Sequence, residues 1–83
     1  MPKSVFSPAY EQFRARLIQA RTDAGLTQTD VAFLLKRPQS YVSKYENGER
    51  RLDVIEFLEI AQILRLDAVS VVLELQRYLP TSS

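Results

Sequence analysis

The sequence predicts an all-α domain of five helices. Three observations carry that expectation: apolar residues recur at spacings of three and four, no stretch alternates apolar and polar as a strand would, and helix-start signals recur along the chain. At 83 residues, 46% of them hydrophobic, the chain has material for one small core and not for two.

The first helix opens at Ser7, with Pro8 where a missing N–H costs nothing and Glu11 in the first turn. Phe13, Leu17, Ala20 and Ala24 keep one apolar stripe as far as Gly25, a natural left-handed stop. Thr27 and Asp30 form a Thr-x-x-Asp cap ahead of Val31, Ala32, Leu34 and Leu35, a short second helix that must end before Pro38. Pro38 opens the third helix and Asn47-Gly48 closes it. A basic loop, Glu49 to Leu52, leads to Asp53 and Glu56, which repeat the capping pattern for a fourth helix reaching about Leu64, and Asp67 caps the fifth. The chain therefore divides into an N-terminal arm at 1–8, a helical domain at 9–79 and a tail at 80–83, with no internal repeat and no low-complexity tract.

Composition narrows the chemistry. Without cysteine there is no disulfide framework, and without histidine as well there is neither a Cys/His metal site nor a His-based catalytic group. The Asp and Glu pairs lie at helix starts as caps, and no nucleophile stands beside a base, so an enzyme is not expected. No cofactor, metal or small-molecule ligand is implied. The longest apolar run, Val31 to Leu35, is far too short for a membrane span, and Met1 to Ser7 lacks a signal-type apolar region, which points to a cytoplasmic protein.

Net charge is only +1, yet it is unevenly placed. Lys and Arg outnumber Asp and Glu four to three over residues 1–35 and five to two over 36–51, and are outnumbered two to five over 52–83. On a helical wheel begun at Gln39, Val42, Tyr45 and Glu46 fall on one side, whereas Gln39, Ser40, Ser43, Lys44 and Asn47 occupy an arc of about 140°. That arc carries no acid although the chain has ten, its one charge is Lys44, and its side chains are short or planar enough to meet base edges in a major groove. The second and third helices are joined by about three residues and must cross closely, with the small Ala32 facing Val42 and Tyr45. Gln28 would then share the outer surface of Gln39, near a helix start that favours phosphate.

Residues 25–64, GLTQTDVAFLLKRPQSYVSKYENGERRLDVIEFLEIAQIL, resemble the helix-turn-helix domain of the phage repressor and Cro family, the Xre family. Gly25-Leu26-Thr27-Gln28, Val31-Ala32, Gln39-Ser40, Val42 to Glu46, Gly48 and the basic loop all stand at family spacing. The resemblance implies a lambda-repressor-like fold in which helices two and three form the helix-turn-helix and helix three enters the major groove of double-stranded DNA. It further implies base contacts from Gln39, Ser40, Ser43 and Lys44, with Tyr41 and Asn47 at the edge, phosphate contacts from Gln28, Arg21, Arg50 and Arg51, and an ion pair between Arg21 and Glu46. Three positions depart from the family pattern. Lys36 replaces a glycine, so a non-glycine residue must adopt positive φ. Pro38 replaces a Ser or Thr cap. Phe33 occupies a normally polar position, where it is either covered by an arm of Phe6 and Tyr10 or is itself a contact.

From Ala68 onward the apolar residues spread over about 220° of the wheel, wider than the stripe of about 100° that one core needs. This predicts a symmetric homodimer through the fifth helix with Val71, Leu75, Tyr78 and Leu79 as contacts, and a palindromic operator. The expected function is that of a sequence-specific transcriptional regulator; a protein-interaction module on the same fold, of antitoxin or coactivator type, is the alternative.

Overall fold

Side chains written into the sequence start four of the five helices. The computed structural model describes residues 7–80, with α1 at Pro8–Asp23, α2 at Gln28–Leu35, α3 at Gln39–Asn47, α4 at Val54–Leu64 and α5 at Ala68–Gln76, and no strand among the described residues. Ser7 Oγ accepts from the Tyr10 amide, and Asp67 accepts from the Val69 and Ser70 amides. Thr27 with Asp30, and Asp53 with Glu56, close reciprocal capping boxes with all four bonds between 2.8 and 3.0 Å. The exception is α3, whose N-cap is Pro38, with no side-chain cap.

The first four helices also stop in one way. Gly25, Lys36, Gly48 and Arg65 all have positive φ, between 56° and 84°. Past each of them an amide turns back to a carbonyl five residues earlier: Leu26 to Arg21, Arg37 to Ala32, Glu49 to Lys44 and Leu66 to Ala61, at 2.8 to 3.1 Å. Two of the four sites hold glycine. The other two force a lysine and an arginine into the left-handed region; the sequence anticipated the first, at Lys36, but not the second, at Arg65.

Every helix sends at least one fully buried side chain to a single core: Leu17 from α1, Val31 from α2, Val42 and Tyr45 from α3, Ile60 from α4 and Val71 from α5. Phe13 and Phe57 meet edge to face at 5.0 Å beside it. Ala32, 3% exposed, allows α2 and α3 to make the most extensive helix contact of the fold.

Two expectations change here. Val71 is 0% exposed and belongs to the core, so it is not a surface contact; α5 packs on α1 and α4 through that residue, and it ends at Gln76, which leaves Tyr78 and Leu79 in the turn beyond it. A wheel reports the width of an apolar arc but not which sector the parent core takes. Phe33, in turn, is 80% exposed. Tyr10 does not cover it: its ring packs on Phe13 at 5.4 Å and its hydroxyl accepts from the Leu52 amide. Phe6 lies outside the described residues, as does most of the expected arm, and Pro8 is already helical. Among the described residues no helix is long and apolar enough to cross a membrane.

A left-handed L-residue costs about 1 kcal/mol relative to glycine. Lys36→Gly should therefore raise the unfolding free energy by about 0.5–1 kcal/mol in urea denaturation; an unchanged or lowered midpoint would remove strain from the account of this turn.

Candidate nucleic-acid interface

The third helix has two unlike sides because its neighbours take one of them. It packs on α1 and α2 through Val42, Tyr45 and Glu46, all at most 5% exposed. On the opposite side Gln39, Ser40, Lys44 and Asn47 are exposed and Ser43 is half-buried, so no acid faces outward. Among the described residues Lys44 makes no ion pair, and Asn47 Nδ2 reaches Ser43 Oγ only weakly, at 3.5 Å. Pro38 leaves the first-turn amides of α3 without a side-chain acceptor on this same end.

Behind that face lies a buried charge pair. Arg21 donates from Nε to Glu46 Oε2 at 2.7 Å and from Nη2 to Oε1 at 3.1 Å, while Nη1 holds the Leu26 carbonyl at 3.0 Å. The hydrogen bond to Glu46 raises the Arg21 pKa against the opposing effect of burial. Gln28 Nε2 donates to the same Glu46 Oε1 at 2.9 Å, and Gln39 Nε2 donates to Gln28 Oε1 at 3.0 Å. Arg14 donates to the Glu46 backbone carbonyl, tying α1 to the last turn of α3. One glutamate thus gathers donors from two helices, Arg14 and Arg21 of α1 and Gln28 of α2.

These bonds bear on the expected phosphate set. The Arg21 guanidinium is committed to Glu46 and Leu26, with 15% of its side chain exposed. Gln28 bridges Glu46 to Gln39. Arg50 is held bidentately by Glu56, at 2.8 and 3.1 Å, and also bonds the Arg51 carbonyl. Glu56 caps α4 with the same carboxylate, and the Arg50 bonds first, then the Asp53 amide, hold its pKa down at about 2. Arg51 remains exposed, its guanidinium 4.2 Å from the centre of the Tyr10 ring.

Tyr41, expected at the edge of the interface, is 8% exposed and forms part of the core. Its ring meets Tyr45 edge to face at 5.6 Å and is flanked by the guanidinium groups of Arg37 and Arg50, at 4.7 and 4.8 Å. Burial raises the pKa of its hydroxyl, which has no hydrogen-bond partner among the described residues. Arg37 was missed by sequence reasoning. It stands exposed beside the start of α3 and pairs only loosely with Glu59 at 3.4 Å; its place next to Pro38 was the available signal.

Two helices crossing at a short turn, the second presenting a polar, acid-free side, define a helix-turn-helix protein. The helix-turn-helix family model matches residues 17–71, and an XRE-family-like protein from Pseudomonas syringae pv. tomato str. DC3000 has a solved structure 43% identical in sequence, with TM-score 0.79 over 87% of this chain and 90% of that one. The chain belongs to the Xre family of helix-turn-helix DNA-binding domains. The clp gene regulator ClgR from C. glutamicum, 20% identical, shares the fold with TM-score 0.74 over 93% of this chain and 100% of that one. Among curated proteins none matches.

The Arg50–Glu56 pair has a signed pH dependence. A carboxylate whose pKa falls from its ordinary 4.5 to about 2 on folding contributes stability that is complete above about pH 5 and disappears as pH falls toward 2. Glu56→Gln should cost about 1–2 kcal/mol at pH 7 and flatten the loss of stability between pH 5 and 2 in urea titrations at each pH. A variant profile parallel to the wild type would show that the pair contributes nothing.

Proposed function

We propose that this protein binds double-stranded DNA at specific sequences and regulates transcription from the sites it occupies, as a dimer on a palindromic operator. The observation that carries the reading is the outward side of α3, exposed, free of acids and bearing Lys44. In the major groove Gln39, Ser40, Ser43 and Lys44 would face base edges, with Asn47 at the margin. The amides at the uncapped start of α3, with Arg37 and Arg51, would meet the phosphates in place of Arg21 and Arg50.

The dimer reading moves from Val71 to the surface that α4 and α5 leave open. Val54, Leu58, Val69, Val72 and Leu73 are 45–70% exposed and line one shallow cavity of about 260 Å³, with Phe57 at its floor. A patch without charge can face its own copy without like-charge conflict. Because α3 packs chiefly on α1 and α2, an interface on α4 and α5 leaves the recognition side open. Leu75 is half-buried, and Tyr78 and Leu79 would lie at the rim of such an interface. Two copies would present their α3 helices to half-sites about 34 Å apart.

The exposure of Phe33, with Leu34 beside it at 48%, favours a second reading, a protein-interaction module. A salt titration separates the two. With several phosphates neutralised, log affinity for DNA should fall steeply with log salt, and Lys44→Ala should cost about 1–3 kcal/mol on the preferred sequence and relax selectivity. Flat salt dependence together with an indifferent Lys44→Ala would favour the interaction module. For the dimer, Leu73→Asp should turn a dimer into a folded monomer in sedimentation at tens of micromolar; a wild type that is monomeric there would end this part of the proposal.

A further inference from the structure

An apolar cavity of about 330 Å³ opens between the start of α1 and the end of α5. The buried rings of Phe13 and Phe57 border it from the core, and Val72, Leu75 and Leu79 border it from α5 and the turn beyond. Val72 is 50% and Leu79 55% exposed, so apolar surface stands open to water beside an intact core. Ser7 lines the same cavity, and because it is the N-cap of α1 the chain enters that helix at the cavity edge. The two residues before Ser7 are Val5 and Phe6, both apolar and both outside the described residues. An apolar residue just ahead of an N-cap commonly packs on the fourth position of the helix it introduces. Here that position is Glu11, half exposed and paired with Arg14 at 2.8 Å, so Phe6 has no apolar partner there.

We propose that the chain's own N-terminal segment fills this cavity: Phe6, with Val5 behind it, packs on Phe13, Val72 and Leu79 and straps the start of α1 to the end of α5. Two residues span at most about 7 Å, so neither side chain is far from the lining whatever path Met1 to Ser4 takes. A second copy would have to bring apolar groups from solution and lose translational freedom on arrival, whereas this segment is already tethered at the cavity edge. The strap also closes over Tyr10, which lines the cavity, holds the Leu52 amide and carries Arg51 on its ring. It covers one exposed sector of α5, at Val72 and Leu79, and leaves the other, at Val69 and Leu73, to the partner copy of the proposed dimer.

Thermal melts and Overhauser spectra of the full chain test this. Phe6→Ala should lower the melting temperature by about 5–10 °C, and Phe6→Leu should restore most of the loss. Leu79→Ala should cost stability in the wild type and little in Phe6→Ala, since the two changes remove one contact. The Phe6 ring should show Overhauser contacts to the Val72 and Leu79 methyl groups, and these should persist on dilution and within one chain in a mixture of labelled and unlabelled protein. A Phe6→Ala variant that melts with the wild type, or Phe6 and Leu79 effects that add in full, overturns the inference. Contacts found only between differently labelled copies overturn it as well and give the cavity to a second copy. So does a Phe6→Ala variant of unchanged stability and weakened DNA binding, which makes the segment a DNA contact. Each of these outcomes leaves the reading of α3 as it stands.

Discussion

The fold depends most on how Glu46 is satisfied. Among the described residues it is the one carboxylate drawn into the interior beside the core, and on its own it would cost several kcal/mol of desolvation. Arg21 from α1 meets it with two bonds, Gln28 from α2 adds a third, and Arg14 takes the carbonyl of the same residue. Those contacts set the angle at which α3 leaves the globule, because the helix cannot roll without separating a buried charge from its partner. Removing one side of such a pair is typically worth 3–5 kcal/mol, a large part of the stability of a domain this small. The packing of Val42 and Tyr45 is compatible with small rotations of α3; directional bonds to a charge are not.

The second constraint is in the turns. Four consecutive helices end on a left-handed residue followed by an amide that returns to the preceding turn, so the chain reverses within a few residues each time. Between α2 and α3 the reversal is made by Lys36, which pays for the sharp corner with backbone strain, and Pro38 then starts α3 without a capping side chain. The uncapped amides and the exposed cation of Arg37 therefore fall at the same end of the helix, the end that Gln39 also occupies. Uncapped amides, a cation and the Gln39 amide are placed together by the geometry of one corner.

The surface divides along the same lines. Elements that pack against α3 leave its polar side open, whereas α4 and α5 bury one side against α1 and expose apolar side chains on the other. The cations of the basic loop are divided too. Arg50 is drawn onto Tyr41 and Glu56, where it braces the start of α4, and Arg51 stays at the surface over Tyr10. Two adjacent residues of one type thus have different work, decided by which of them has a capping glutamate within reach.

What the chain alone determined is local. Helix starts at Ser7, Thr27, Asp53 and Asp67, stops at Gly25 and Gly48 and the acid-free arc of α3 all follow from local residue order, and these are legible along the sequence. Through family resemblance the sequence also indicated the positive φ at Lys36 and the pairing of Arg21 with Glu46, which no local rule supplies. The tertiary structure alone decided the burial of Val71 and Tyr41, the end of α5 at Gln76, the capture of Arg50 by Glu56 and the Gln28–Gln39 link. In each of these the outcome depends on which of several suitable neighbours the packed helices bring within hydrogen-bond or van der Waals reach, and periodicity defines a side of a helix without saying what will be packed against it.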